Sequence, residues 1–225
     1  KRMNKETEII NKYFLPLAKN KESMMLKNDA AIIDKNKKLV VSSDMMIEDF
    51  HFKREHSPKD LAKKLIRINL SDLAAMGATP YGYLLNLAFP KENYSDWLAQ
   101  FSEGLKQDGE KYNLKLFGGD ISKSKKYFLS VTIFGLIESI AHSKYSAKVG
   151  SEIFLSGEIG DAYQGFKSLK ENSLNLPKSS IKKLRKKFFL PEPKIKLGKY
   201  LLGKADFCTD LSDGLYKELI NISQK

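Results

Sequence analysis

A chain of 225 residues can bury a substantial core, as one large domain or as two small ones. Hydrophobic residues make up 42% and charged residues 29%, which is ordinary for a globular protein, and no apolar run approaches the roughly 18–20 residues that cross a bilayer. The N-terminal stretch lacks the apolar segment of a secretory signal, so we expect a cytoplasmic protein without a membrane anchor. The single cysteine, Cys208, excludes an internal disulfide and a multi-cysteine zinc site.

The net charge of +12 suggests a nucleic-acid-binding protein at first sight. However, four of the 39 basic residues are arginines, the residues suited to bidentate phosphate and base contacts. The lysines are spread over the whole chain. We therefore interpret the charge as a solvated surface, which also helps to attract nucleotides and phosphate esters.

The first half of the chain alternates helix and strand patterns. Apolar residues recur at helical spacing over residues 6–18, which predicts an amphipathic helix. Two short β-prone runs, at 30–33 and 39–41, predict a hairpin. Pro58 is typical of a helix start, and Gly77 of a left-handed helix end. The elements expected after this long helix are a strand at 83–89, a helix at 95–112, and strands at 114–117 and 128–137.

A shift in composition near residues 139–150 predicts a domain boundary. We divide the chain into residues 1–140 and 141–225. Beyond the boundary a strand is expected at 152–155, and the lysine-rich stretch 167–187 predicts an exposed helical hairpin. This second half offers too few strands to close a sheet of its own.

One stretch, Gly198 to Ala205, approximates a P-loop. Ala205 offers no oxygen to magnesium, and the pattern is that of a helix with a glycine at its C-terminal end. We therefore do not interpret it as a nucleotide site.

Aspartates at particular positions are the stronger indication of a site. Carboxylates at strand ends beside glycine or serine commonly line a ligand site, because backbone and ligand approach closely there. Oxygen ligands without clustered His or Cys suit Mg²⁺. An acid inside the long helix, among apolar residues, needs a partner if it is buried. The five aspartates selected in this way are Asp29, Asp44, Asp72, Asp120 and Asp210.

Ten contiguous residues, Asn69–Ala78, resemble the thiamine-monophosphate kinase family, within the wider superfamily of aminoimidazole ribonucleotide synthetases. Shorter motifs in the same order and spacing extend the resemblance over nearly the whole chain. These are Asp29-Ala30-Ala31, Ser42-Ser43-Asp44, His51-Phe52, Gly118-Gly119-Asp120, Ser156-Gly157 with Gly160-Asp161, and Asp210-Leu211-Ser212-Asp213-Gly214.

The resemblance implies an α+β, two-domain fold of the aminoimidazole ribonucleotide synthetase type. Its N-terminal mixed sheet with flanking helices would dimerise, and its C-terminal α/β domain would be incomplete in this sequence. The implied enzyme uses Mg²⁺ and transfers the γ-phosphoryl group of ATP to thiamine monophosphate, giving thiamine diphosphate and ADP. As partners we expect these small molecules and a second copy of the chain, and neither nucleic acid nor membrane.

The family's functional residues can be carried over by position. The resemblance implies metal ligands at Asp29, Ser42, Ser43, Asp44, Asp72, Asp120, Asp210 and Asp213. It implies ATP contacts at Gly119, Asp120, Lys144 and Ser212, and a contact of His51 with the thiamine substrate. Asp44, Asp72 and Asp120 are the residues we expect to be catalytic.

The sequence departs from the family pattern at several positions. Lys27-Asn28 precedes Asp29 where Gly-Asp is usual, and Lys144 stands where arginine is usual. Ser151 replaces an aspartate and Asp49 a glycine. A later Gly-Gly-Glu-Asp segment, which in the family helps to bind the thiamine end, is absent from the sequence.

Three alternatives are open at this stage. One is another enzyme of the superfamily that uses ATP to activate an amide, formyl or selenide substrate; the ten-residue helix motif and His51-Phe52 argue against it. The second is a basic nucleic-acid-binding module, which predicts salt-sensitive binding and indifference to Asp44→Ala. The third is a degenerate chain that dimerises and binds nucleotide without turnover.

Overall fold

The computed structural model of the protein describes residues 5–27, 30–90, 94–142, 147–170 and 176–223. Within these ranges, no helix combines the length and the apolar character that crossing a membrane would need. The fold consists of a four-stranded sheet with helices on one face, followed by a helical C-terminal part.

The sheet is mixed. Its strands are β1 (Lys38–Ile47), β2 (Thr79–Phe89), β3 (Lys115–Lys123) and β4 (Phe128–Ile137), in the order β1-β4-β2-β3. β4 pairs antiparallel with both β1 and β2, whereas β2 and β3 are parallel. The parallel pair requires a crossover, which the helix between the two strands provides.

Two long helices cover one face of this sheet. α2 (Pro58–Ala75) begins after Ser57, whose hydroxyl accepts a hydrogen bond from the Asp60 N–H (3.3 Å), and α3 is Ser95–Tyr112. The predicted start of α2 is confirmed, and Gly77 has a φ of +72° just beyond its end. The helices bury an apolar stripe against the inward residues of the strands, which forms the core.

The opposite face of the sheet carries apolar residues that are exposed. Along β1, side chains alternate between the helix-covered face and this outer face. Leu39, Val41 and Met45 are 43%, 54% and 51% exposed on the outer side.

The N-terminal region differs from the sequence expectation. The helical run begins with α1 (Lys5–Ile9) and continues as a π-helical and a 3₁₀ turn to Leu17. The predicted hairpin is wrong, since residues 30–37 contain no strand. The Ile32 N–H instead donates a hydrogen bond to the Glu22 carbonyl (2.9 Å). The second run of the expected hairpin lies in β1, which pairs with β4 and not with residues 30–33.

The C-terminal part is helical wherever it is described. α4 (Asp161–Lys170) and α5 (Lys178–Phe189) form the predicted helical hairpin, and α7 is Leu215–Ser223. The predicted strand at 152–155 is wrong. Ile153 and Phe154 are 64% and 84% exposed, and no described strand pairs with them.

The P-loop-like stretch belongs to α6 (Ile195–Leu201) and its end, as expected. Gly203 follows with a φ of +70°. α6 packs against α2, and the buried His142 Nε2–H donates to the Gly198 carbonyl (2.9 Å). This region is therefore a packed helix rather than a phosphate loop.

Candidate functional site

A hydroxyl–carboxylate pair joins the first strand to the long helix. Ser42 Oγ of β1 donates a hydrogen bond to Asp72 Oδ2 of α2 at 2.5 Å. Ser42 lies on the helix-covered face of the sheet because it alternates with the exposed Val41 and Ser43. The acid within the helix thus has a polar partner, as the sequence argument required.

A second carboxylate on the same face lies two residues along the strand. Burial and the nearby Asp210 carboxylate raise the pKa of Asp44. Because the Asp210 carboxylate acts on Asp44, the segment around Asp210 lies near this part of β1. Burial and Asp210 also raise the pKa of the nearby Cys208 thiol. Two facing carboxylates without a bound cation repel each other. Their oxygens, with those of the Ser42–Asp72 pair, are donors suited to a hard divalent ion.

Asp120 lies elsewhere. It is exposed on β3, where its register partner is the exposed Asn86, whereas the next residue, Ile121, packs on the core. The Asp120 side chain therefore faces the outer side of the sheet, opposite to Asp44. Since β1 and β3 are the two edge strands, three strand spacings, about 14 Å, separate them.

A cavity of about 590 Å³ opens beside β3. Gly118, Gly119 and Asp120 line it together with Ala30 and Ala31. The segment Gly118–Asp120 contains predicted ATP- and metal-binding residues, and Ala30-Ala31 directly follows the predicted metal ligand Asp29. Both segments line one cavity, although Asp29 itself lies outside the described residues.

The remaining predicted site residues are dispersed. Ser43 Oγ faces outward and bonds to the Val131 carbonyl (3.1 Å) and Thr132 Oγ1 (3.0 Å). Asp213 is exposed and forms a surface ion pair with Lys217, and Ser212 is also exposed. Lys144 lies outside the described residues. Across the part of the chain that the structure describes, no three His, Cys, Asp or Glu side chains form a metal-holding group.

The predicted acids therefore form two groups in one chain. One lies between β1, α2 and the Cys208–Asp210 segment on the helix-covered face, and the other at the β3 cavity. The sequence did not predict this division, because strand order and the β2–β3 register decide which face each acid occupies.

The loop after β1 positions His51 beyond the first group. His51 Nδ1 accepts a hydrogen bond from the Ile47 N–H (3.0 Å). The loop is fixed by the buried Glu48, which accepts two hydrogen bonds from Arg54 (2.6 and 3.0 Å) and one from the Tyr127 N–H (2.9 Å).

Lys64 of α2 is a further candidate site residue, which was not predicted from the sequence. Its Nζ lies 3.5 Å from the centroid of the Phe188 ring, and burial lowers the pKa of Lys64 to about 8. Its position could have been recognised from helical spacing, because Lys64 lies in the inward-facing apolar stripe of α2, between Leu61 and Ile68. Among so many lysines this position did not stand out.

Residues 27–137 match the family model described as AIR synthase related protein, N-terminal domain. Thiamine-monophosphate kinase of Buchnera aphidicola subsp. Acyrthosiphon pisum is 37% identical over 96% of this chain and 68% of the relative. The chain belongs to the thiamine-monophosphate kinase family. It spans about two thirds of the length of this kinase.

Solved structures of the family have the same fold. Thiamine-monophosphate kinase from Stenotrophomonas maltophilia K279a superposes with a TM-score of 0.83 at 30% identity, covering 97% of this chain and 70% of the other. AaThiL complexed with AMPPCP and TMP superposes with a TM-score of 0.78 at 28% identity, covering 90% and 67%. The expected α+β fold of this family, with a partial C-terminal domain, is confirmed.

One residue that departs from the kinase family pattern, Asp49, adopts an unusual backbone conformation. Asp49, at a position where the family usually has glycine, adopts a φ of +70°. Its carboxylate contacts Lys53 (3.3 Å) and Lys126 (3.0 Å). Aspartate tolerates this left-handed conformation better than most residues, so the loop that carries His51 keeps its turn.

Proposed function

We propose that the protein transfers the γ-phosphoryl group of ATP to thiamine monophosphate and releases thiamine diphosphate and ADP. The observation that carries the proposal is the likeness to thiamine-monophosphate kinases over 96% of the chain. The AaThiL neighbour bound to AMPPCP, an ATP analogue, and to TMP supports the pair of substrates. Family membership also favours this reaction over those of the other ATP-using enzymes in the superfamily.

The residues of the helix-covered group suit a magnesium ion. Asp44, Asp210 and the Ser42–Asp72 pair present only oxygen donors, and the raised pKa of Asp44 reflects a carboxylate that a cation would stabilise. These residues would hold the metal, with Asp44 and Asp72 as the catalytic acids on this side. When bound, Mg²⁺ neutralises negative charge on the transferring phosphoryl oxygens.

The cavity beside β3 suits the nucleotide. The glycines at 118 and 119 allow a close approach to the backbone there, and Asp120 is exposed at its rim. We assign Gly119 and Asp120 to ATP binding, and Asp120 also to a metal. By family position, Lys144 and Ser212 would contact ATP as well, and Asp29 and Asp213 would be further metal ligands.

The acceptor makes a general base unnecessary. Thiamine monophosphate already carries an anionic phosphate oxygen near neutral pH, so no side chain has to remove a proton before attack. The protein's task is to align two phosphates and to exclude competing water. A site of carboxylates, serines and glycines fits this task.

We also propose a cytoplasmic homodimer, with residues 1–140 as the ATP- and metal-binding domain and 141–225 as part of a second. The exposed Leu39, Val41 and Met45 support pairing of two outer sheet faces. Ser43 and Asp120 share this face, so such pairing would bring acids and hydroxyls of two copies to one interface.

The test is direct. The protein is incubated with ATP, Mg²⁺ and thiamine monophosphate, and thiamine diphosphate is measured, with unphosphorylated thiamine as the control acceptor. Product that requires Mg²⁺ and is lost in Asp44→Asn supports the proposal. A folded, dimeric wild-type protein that forms no thiamine diphosphate would remove it.

A further inference from the structure

We propose that Lys64, with the imidazole N–H groups of His51 and His56, forms the subsite that binds the phosphate of the acceptor. The inference rests on the proposed function and deepens it, because it assigns one end of the substrate to named residues. Three observations carry it. Lys64 has no carboxylate partner among the described residues, both imidazoles carry their proton on Nε2, and the two histidines lie in the connection between β1 and α2, the helix that carries Lys64.

The ammonium of Lys64 lacks the partner that a half-buried charge normally has. Lys64 Nζ lies over the face of the Phe188 ring, 3.5 Å from its centroid, and in the described part of the chain no carboxylate lies within ion-pairing distance of it. Arg54 and Arg67, in contrast, each have a bidentate carboxylate partner. Removing an ammonium from water is costly unless an anion compensates, so this position favours an anionic ligand.

The two histidines present donors rather than acceptors to such a ligand. His51 Nδ1 accepts from the Ile47 N–H (3.0 Å), and His56 Nδ1 accepts from the Lys53 N–H (3.2 Å). A neutral imidazole that accepts through Nδ1 carries its proton on Nε2. Burial and the positive charge of Lys64 both lower the pKa of His51, which favours this neutral form.

These three groups lie near one another. The charge of Lys64 acts on both His51 and His56. His56 stacks edge-to-face on Phe189 (4.9 Å), next to the Phe188 ring under Lys64. An ammonium and two N–H donors provide hydrogen bonds and no acceptor, which is the complement of a phosphate monoester.

The same set discriminates between the two ends of the substrate. Thiamine carries a cationic thiazolium ring, which the Lys64 ammonium would repel, so the phosphate end is the one that fits. His51 follows the end of β1 at Ile47, three residues beyond Asp44, or about 10 Å along the strand. The proposed subsite therefore lies beyond the end of β1 that follows Asp44, on the side from which an acceptor phosphate can approach the acids proposed to hold the metal.

The experiment uses the full chain with Lys64→Ala, Lys64→Arg and, as the matched control, Lys63→Ala on the same helix. Calorimetry measures the affinity for thiamine monophosphate and for thiamine, and kinetics measures KM for thiamine monophosphate and for ATP. Thermal melting identifies any variant that fails to fold.

We expect Lys64→Ala to weaken thiamine monophosphate binding by about 10- to 100-fold, the range for losing a hydrogen bond to a charged group. Thiamine binding and KM for ATP should change little, Lys64→Arg should restore much of the affinity, and Lys63→Ala should resemble the wild type. An equal loss for both acceptors, or a rise in KM for ATP alone, overturns the inference. If the wild type forms no thiamine diphosphate, the proposed function fails, and the calorimetric preference for the phosphorylated ligand still decides the subsite.

Discussion

Ser42 Oγ lies 2.5 Å from Asp72 Oδ2, and this hydrogen bond joins the middle of β1 to the last turns of α2. The two residues are 30 positions apart in sequence. The bond orients one carboxylate oxygen of Asp72 while Asp44 stands on the same face of β1. A metal ligand held in this way loses less conformational freedom on binding an ion.

Replacing Ser42 by alanine tests that role. We expect Ser42→Ala to lower Mg²⁺ affinity or kcat/KM by about 10- to 100-fold, as removal of a group that orients a metal ligand commonly does. The measurement is initial rate against Mg²⁺ concentration. Ser102→Ala is the control, since Ser102 bonds to the Ala99 carbonyl within α3, away from the site. Equal behaviour of both variants would contradict the role.

The Asp44–Asp210 pair predicts a link between magnesium and stability. Without a cation the two carboxylates repel each other, so Mg²⁺ should raise the Tm of the wild type. Asp44→Asn removes the repulsion, so this variant should melt higher in EDTA and gain less from Mg²⁺. Differential scanning calorimetry measures both effects, with the exposed Asp96→Asn as control. A full Mg²⁺ shift in Asp44→Asn would argue against metal binding there.

Gly118 and Gly119 provide a matched pair of substitutions at the β3 cavity. Gly119 has a φ of +151°, and an added Cβ would lie 1.8 Å from the Leu85 carbonyl oxygen, whereas one on Gly118 would meet Leu84 Cδ2 at 3.6 Å. We therefore expect Gly119→Ala to cost about 1–3 kcal/mol of unfolding free energy, the usual range for overpacking. Gly118→Ala should cost much less. Urea denaturation measures both, and equal costs would contradict the strained geometry.

The sequence predicted the elements whose signals are local. Pro58 and Gly77 mark the two ends of α2, and the alternation along residues 128–137 gave β4 with its observed bounds. The runs at 30–33 and 152–155 were apolar enough to suggest strands, but neither has a strand partner among the described residues. Strand formation depends on a neighbour, which composition does not reveal.

The candidate site was predictable as a set of residues but not as a geometry. Asp44 and Asp120 each follow a recognisable motif, yet the register of β2 with β3 places them on opposite faces. Lys64 was not predicted, because its distinction from other lysines is burial against Phe188, a residue 124 positions later in the chain.

A buried ion pair predicts where the fold is most sensitive. Arg67 Nε and Nη2 of α2 donate to both carboxylate oxygens of Asp108 of α3 (2.6 and 2.9 Å). Asp108→Ala leaves the guanidinium buried without its anion and should cost about 3–5 kcal/mol. The double variant Arg67→Met, Asp108→Ala should recover much of this loss, because it leaves no buried charge without a partner. Urea denaturation of the four proteins of the cycle measures it, and a double variant no more stable than Asp108→Ala would contradict the explanation.

The pH dependence of catalysis follows from Lys64. Burial lowers the pKa of Lys64 to about 8, and the ammonium form is the one that attracts phosphate. Lys64 is therefore charged below pH 8 and loses its proton as the pH rises through that value, so kcat/KM for thiamine monophosphate should fall on the alkaline side. The pKa values of His51 and His56 are both lowered, chiefly by burial, so neither ring changes charge in this range. Since arginine stays protonated throughout, Lys64→Arg should move the fall to higher pH, and an unmoved alkaline limb would mean that another group titrates.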